Sequence, residues 1–234
     1  MKNNYPEITA IICAFNEKST IENVLIAVSD CNLFNEIIVV NDGSTDNTGE
    51  IIKSLKKCLD ITDIHLPENK GKGYVMATGV ENTNSEIIVF CDADLSDLKK
   101  EHFLQLTKPI IENEADMVLG QATETLINYK INPFKSFTGQ RALLKKDILP
   151  ILKDVKTSKF GVETLINLYY QSHEKRVKYV MLVDLKHPTK FQKTSRNMAI
   201  SEFVKERHQI ALTVFKNFKL VSKIVNNNLK KINL

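Results

Sequence analysis

The sequence predicts an α/β fold, a mostly parallel central sheet flanked by helices, and three observations carry that expectation. Short apolar runs rich in β-branched residues alternate with helical-period segments at a spacing of about 25 residues, the pattern of βαβ units with right-handed crossovers. The runs are apolar throughout rather than alternating, as strands buried on both faces are. Three of them also end in acidic or amide residues, and open α/β sheets gather their strand ends at one ligand-binding edge.

The elements follow in order. Ile8 to Ala14, broken only by Thr9, reads as the first strand and runs into Phe15-Asn16-Glu17. Ser19 is the expected cap of a helix whose Ile21, Val24, Leu25 and Val28 recur at helical spacing. Glu36 to Val40 is a second buried strand, ending in Asn41-Asp42-Gly43-Ser44-Thr45-Asp46. A helix from Thr48 to Cys58 and a short strand from Ile61 to Leu66 follow. The turn Glu68-Asn69-Lys70-Gly71-Lys72-Gly73 then opens a helix reaching about Val80. Ile87 to Cys91 is the central strand and delivers Asp92-Ala93-Asp94; a helix from Lys99 to Ile111 and a strand from Asp116 to Leu119 succeed it. Residues 120–136 show no period and read as a functional loop. Helices are expected from Thr138 to Leu152 and from Phe160 to Gln171, and a strand from Arg176 to Leu185.

Composition narrows the function classes. With 43% hydrophobic and 26% charged residues, the 234-residue chain has enough apolar material for a core and no bias toward disorder. Cys13, Cys31, Cys58 and Cys91 lie far apart without a Cys-x-x-Cys pair, so reduced thiols of a cytosolic protein are expected, not zinc or disulfides. The polar start from Met1 to Pro6 does not resemble a signal peptide, and no apolar run is long enough to span a bilayer. Of the net charge of +4, residues 200–234 contribute seven Lys or Arg against two Glu, leaving the body slightly acidic. A nucleic-acid partner is therefore not expected. The chain divides into a domain over 1–199 and a basic amphipathic helical extension over 200–234. In that extension Ile200, Phe203, Val204, Ile210, Ala211, Val214, Phe215, Phe218, Val221 and Val225 share one face. Such a face packs on its own domain or a dimer partner, or lies on an anionic membrane; both readings stay open.

The chemistry concentrates at the strand ends. Asp92 and Asp94 offer hard oxygens suited to Mg²⁺ or Mn²⁺, which commonly takes phosphate oxygens as further ligands. A turn with a helix cap would use the same residues. Asp42 suits the N–H of a nucleobase, or simple turn chemistry with Asp46 capping a helix. The Asn69-Lys70-Gly71-Lys72-Gly73 turn offers N–H groups and cations to a nucleotide, or is a solvated turn with a glycine at positive φ. Neither Gly-x-Gly-x-x-Gly nor a P-loop occurs after a strand, which disfavours dinucleotide and P-loop chemistry.

Taken together, Cys13-Ala14-Phe15-Asn16-Glu17 (where Pro-Ala-Tyr-Asn-Glu is usual), Asn41-Asp42-Gly43-Ser44-Thr45-Asp46, Asn69-Lys70-Gly71-Lys72-Gly73 and Asp92-Ala93-Asp94 resemble family-2 glycosyltransferases of the GT-A fold. The resemblance covers about residues 8–120. It implies a UDP- or GDP-sugar donor, with Ala14, Phe15, Asn16, Glu17, Asp42, Asn69, Lys70, Lys72, Gly73, Asp92 and Ala93 around it and Asp42 near the base. It also implies a metal on Asp92 and Asp94. The short chain is similar to polyprenol-phosphate sugar synthases such as dolichyl-phosphate mannose synthase. In contrast, Gly139-Gln140-Arg141, Phe160-Gly161-Val162-Glu163 and Asp184-Leu185-Lys186-His187 resemble glucosyl-3-phosphoglycerate synthases. That second likeness implies His187 as a further metal ligand and Glu163 near the acceptor.

From the residues themselves, Arg141 matches phosphate oxygens with its planar fork, or pairs with a surface carboxylate. His187 sits in a turn before Pro188, where histidines are as often plain surface residues. Glu163 opens a helix, where the dipole favours a carboxylate in any case. Asp94, Glu163 and Arg141 are the expected catalytic residues of a hexosyltransferase, and the acceptor is a lipid phosphate or a small phosphorylated molecule. A lipid phosphate is already anionic, whereas an alcohol attacked with inversion needs a base such as Glu163. Inverting and retaining courses both stay open. The resulting expectation is a cytoplasmic enzyme, peripheral at the inner face of the membrane if 200–234 binds lipid, with a homodimer as the other use of that helix. The rivals are a nucleotidyltransferase, which lacks its glycine-rich loop here, and a non-catalytic nucleotide-sugar-binding or scaffolding module.

Overall fold

The computed structural model describes residues 6–122, 139–158, 161–185 and 211–232. Seven strands form one sheet in the order β3-β2-β1-β4-β6-β5-β7. Strands β1 (Ile8–Ala14), β2 (Glu36–Asn41), β3 (Thr62–His65) and β4 (Ile87–Asp92) are mutually parallel. β6 (Arg141–Leu144) is antiparallel to both β4 and β5 (Met117–Ala122), and β7 (Val177–Leu182) runs parallel to β5.

Each face of the sheet has its own core, which is why β1, β2 and β4 read as unbroken apolar runs. Ala10, Ile12, Val39 and Val89 point toward α1 (Ile21–Asp30), α2 (Thr48–Leu55) and α4 (Lys100–Ile111). Ile11, Ile88 and Phe90 point the other way. There they meet α3 (Lys72–Glu81), α6 (Leu152–Thr157) and α7 (Val162–Ser172). Gly79 of α3 packs so closely on β1 that a Cβ there would lie 2.4 Å from Ile11 Cγ2.

Two expectations are corrected. The helix expected over Thr138–Leu152 is not formed: Arg141–Leu144 is a strand, followed by α5 (Lys145–Ile148), a 3₁₀ turn (Leu149–Ile151) and α6. Pairing with Phe90 on one side and Leu119 on the other satisfies the backbone of this four-residue strand and overrides its helix-forming composition. Ser19 does not cap α1, because the Glu17 carbonyl accepts the N–H groups of Thr20 and Ile21 instead. The 211–232 part of the C-terminal extension is helical, including α8 (Phe218–Ile232), and lies against α7.

Candidate active site

Strand polarity builds the site. In the order β3-β2-β1-β4, connections leave β1 toward β2 and return to β4 on its other side, so a crevice opens beyond the carboxyl ends of β1 and β4. Cys13 and Asp92 are register partners at that edge. Because β6 is antiparallel, its first residue, Arg141, arrives at the same rim beside Phe90. The amino ends of α3 and α7 carry Lys72 and Glu163 there.

At the centre, the Lys72 ammonium lies 2.8 Å from Asp92 Oδ1 and 2.8 Å from Glu163 Oε1. Burial pulls the ammonium toward neutrality, but the Asp92 and Glu163 carboxylates outweigh it and hold its pKa above the ordinary lysine value. Asp92 is crowded from the β6 side as well: a Cβ at Gly139 would fall 2.0 Å from Asp92 Oδ2. A side chain at Gly139 would force the Asp92 carboxylate to move, a close approach that the Gly139-Gln140-Arg141 pattern does not announce by itself. Arg141 is fully buried beneath the rim and donates from Nη1 to Asn167 Oδ1 (3.4 Å) on α7. Burial lowers its pKa while Glu163 and Asp92 oppose that shift, so the guanidinium lies within the field of both carboxylates. It is not a surface group. Asn167, one helical turn beyond Glu163, was not singled out by the sequence; its spacing on the same face of α7 is the available signal.

The neighbouring loops brace one another. Asp42 is buried, and its two carboxylate oxygens accept the N–H groups of Lys70 (2.7 Å) and Gly71 (3.0 Å). Burial raises its pKa against those two hydrogen bonds. Asp42 thus ties the 68–73 turn to β2, and Gly71 (φ 92°) opens α3 as the turn reading required. Asn16, at φ 56°, accepts the Thr45 N–H on Oδ1 (2.9 Å) and donates its own N–H to Ser44 Oγ (3.0 Å). Asp46 accepts the Thr48 N–H (2.9 Å) just before α2; the N-cap itself is Asn47, so the expected cap at Asp46 is corrected to a turn bond. Phe15 stays 42% exposed at the rim, so its ring is accessible to a ligand. Ala14 and Ala93 are buried framework, Asp94 is half-buried next to Asp92, and Asn69, Lys70 and Glu17 line the outer loops. Burial pushes the Cys13 thiol up to about 12, which removes it as a nucleophile. His187 lies outside the described residues.

The donor set fits a hard divalent cation. Among the described residues no group of three or more His, Cys, Asp or Glu side chains forms a cage. A cation here would rest on Asp92 and Asp94 and complete its shell with phosphate oxygens and water, the usual manner of Mg²⁺. Asp92 already accommodates positive charge, in the form of the Lys72 ammonium.

The model of Glycosyl transferase family 2 matches residues 9–178, which spans the whole sheet up to the start of β7. The chain belongs to glycosyltransferase family 2. Among curated relatives, the poly-beta-1,6-N-acetyl-D-glucosamine synthase of Staphylococcus aureus (strain COL) is 36% identical over 88 residues, 37% of this chain and 21% of the relative. Its counterpart from Staphylococcus epidermidis is 35% identical over the same length. The match thus spans about one fifth of those relatives. Among solved structures, glucosyl-3-phosphoglycerate synthase from Mycobacterium tuberculosis, in complex with Mn²⁺, UDP and glucosyl-3-phosphoglycerate, superposes with a TM-score of 0.72 at 20% identity. The superposition covers 90% of this chain and 79% of that one. A second complex of the same protein, with Mg²⁺ and UDP, also has a TM-score of 0.72. This likeness is one of fold, and the fold of the family-2 enzyme is GT-A.

Proposed function

We propose that this family-2 glycosyltransferase moves a hexose from a UDP- or GDP-sugar to a phosphorylated acceptor, with Mg²⁺ or Mn²⁺ held by Asp92 and Asp94. The observation that carries the reading is Lys72 bridging Asp92 and Glu163 at the mouth of the β1–β4 crevice. Two carboxylates and a cation in one half-buried cluster suit a diphosphate leaving group and a reacting centre side by side. The bound metal supplies charge neutralisation to the departing diphosphate.

The chain's own residues do the rest. Asp42 fixes the 68–73 turn, so that Lys70 and Lys72 sit at the diphosphate. Phe15 offers an accessible ring to the base. Glu163 accepts the proton of an alcohol acceptor, and needs Lys72 to release it first, because the ammonium occupies its Oε1 at 2.8 Å. Arg141 acts from below as a positioning residue, holding α7 through Asn167. With a lipid phosphate as acceptor, already anionic, Glu163 would instead shape the acceptor pocket.

Support for a small phosphorylated acceptor comes from the M. tuberculosis protein, which was crystallised with phosphoglyceric acid. The test is nucleoside diphosphate release from a panel of UDP- and GDP-sugars with Mn²⁺, in the presence of phosphoglycerate or a polyprenyl phosphate. One donor and one acceptor class should stand out. Release from no donor under any combination contradicts the proposal.

A further inference from the structure

The C-terminal helix keeps one face for its own domain and presents another outward. Thr213 is buried against the start of α7, where a Cβ at Gly161 would fall 1.9 Å from Thr213 Oγ1. Leu220 packs against the core cluster to which Val162, Leu165 and Ile166 of α7 belong. Asn227 donates to the Ser172 carbonyl (3.3 Å), and Lys231 pairs with Glu174 at 3.0 Å. The helix therefore runs alongside α7 in the same direction, and its early turns lie at the end of α7 that carries Glu163.

What points outward is apolar. Phe215 is 79% exposed, Phe218 66%, Val225 51% and Leu229 52%. At about 100° per residue, these four fall within one sector of roughly 80°. The exposed lysines Lys216, Lys219, Lys223 and Lys230 occupy the adjoining sector, and residues 211–232 contain five Lys and no Asp or Glu. Exposed rings beside a row of ammonium groups suit a partner that takes up both. A second copy of this chain would bring two unneutralised lysine rows together; an anionic bilayer takes the rings into its interface and the lysines at its headgroups.

We infer that the outward face of residues 211–232, led by Phe215 and Phe218 and flanked by Lys216, Lys219, Lys223 and Lys230, docks the enzyme on an anionic lipid bilayer. This surface stands apart from the donor chemistry above, so either reading can fail without the other.

Flotation of the full chain with phosphatidylcholine vesicles, with and without phosphatidylglycerol, tests the inference. Binding is expected only with phosphatidylglycerol, and it should weaken as salt rises. The K216E/K223E variant should bind at least about tenfold more weakly, and F215S/F218S should bind little. Both variants alter exposed side chains, so their melting curves and Mn²⁺-dependent UDP binding should match the parent's. The inference is overturned by absent vesicle binding, by equal binding to both vesicle types, or by variants that bind like the parent. It is also overturned by self-association that F215S/F218S abolishes without any vesicle binding, since the face would then join two copies. Should a variant misfold, the lipid and salt dependence of the parent still decides.

Discussion

Lys72 joins Asp92 to Glu163, and Gly139 passes close against the Asp92 carboxylate. Asp92→Asn keeps the shape but removes the charge that Lys72 answers. Loss of the proposed metal ligand should exceed the roughly 10–100-fold that removing a supporting partner of a metal ligand costs, and steady-state kcat/KM with Mn²⁺ measures it. Lys72→Met leaves Asp92 and Glu163 without their shared counter-ion. Both carboxylates are mostly shielded, so stability should fall by roughly 1–3 kcal/mol, less than for a fully buried pair. Mn²⁺ should then raise the melting temperature of Lys72→Met more than that of the parent, because the cation replaces the missing ammonium; an equal rise would contradict the role given to Lys72. Gly139→Ala drives a methyl into the Asp92 carboxylate and should abolish donor binding while leaving the far side of the sheet intact, as UDP titration and circular dichroism would report. Of these residues, Asp92 and Asp94 were legible because a buried strand ends on them. Lys72 was legible only as a cation on a turn, and the role of Gly139 not at all, since a close approach between distant segments leaves no mark on local sequence.

Among the elements, α3 is held to the sheet by the absence of a side chain at Gly79. Gly79→Ala gains up to about 1 kcal/mol of helix propensity. It also places a methyl 2.4 Å from Ile11 Cγ2, the methyl of a β-branched side chain with little freedom to move. Overpacking of this kind costs about 1–3 kcal/mol, so the balance should be destabilising; a urea midpoint at or above the parent's would show that α3 can shift. Strands β1, β2 and β4 were readable because burial on both faces leaves an unbroken apolar signature. β6 was not, because Arg141-Ala142-Leu143-Leu144 favours a helix by composition and becomes a strand only between β4 and β5. The C-terminal helix was readable by period alone. Period does not say which sector packs inward, and the packing uses Thr213, Leu220 and Asn227 rather than the phenylalanines.

For the whole molecule, the parallel half of the sheet carries the loops proposed to bind the donor, and the mixed half closes the crevice from the other side. The two parallel strands at the β7 edge are tied by Asp116, just before β5, which accepts the Arg176 N–H (2.8 Å) and guanidinium (2.9 Å) ahead of β7. The Arg176 hydrogen bond, against opposition from burial, holds the Asp116 carboxyl below the usual carboxylate range. A pKa depressed by folding contributes stability above the unfolded value, about 3.9, and loses it as pH falls through the folded value. Asp116→Asn should therefore begin less stable at neutral pH and lose less than the parent on acidification to about pH 3, as urea unfolding at each pH would show. The order of motifs up to Asp94 made the family and the parallel half legible. The convergence of Glu163 and Arg141 on that edge depends on an antiparallel strand and a helix start, which only the folded chain reveals. The central claim is that this edge grips a diphosphate through Asp92 and a divalent cation. Calorimetric titration of UDP and GDP into the parent and Asp92→Asn, with and without Mn²⁺, tests it most directly. The account predicts that Mn²⁺ strengthens binding of one nucleotide at least about tenfold in the parent and has no such effect in Asp92→Asn; metal-independent binding, equal in both proteins, would contradict it.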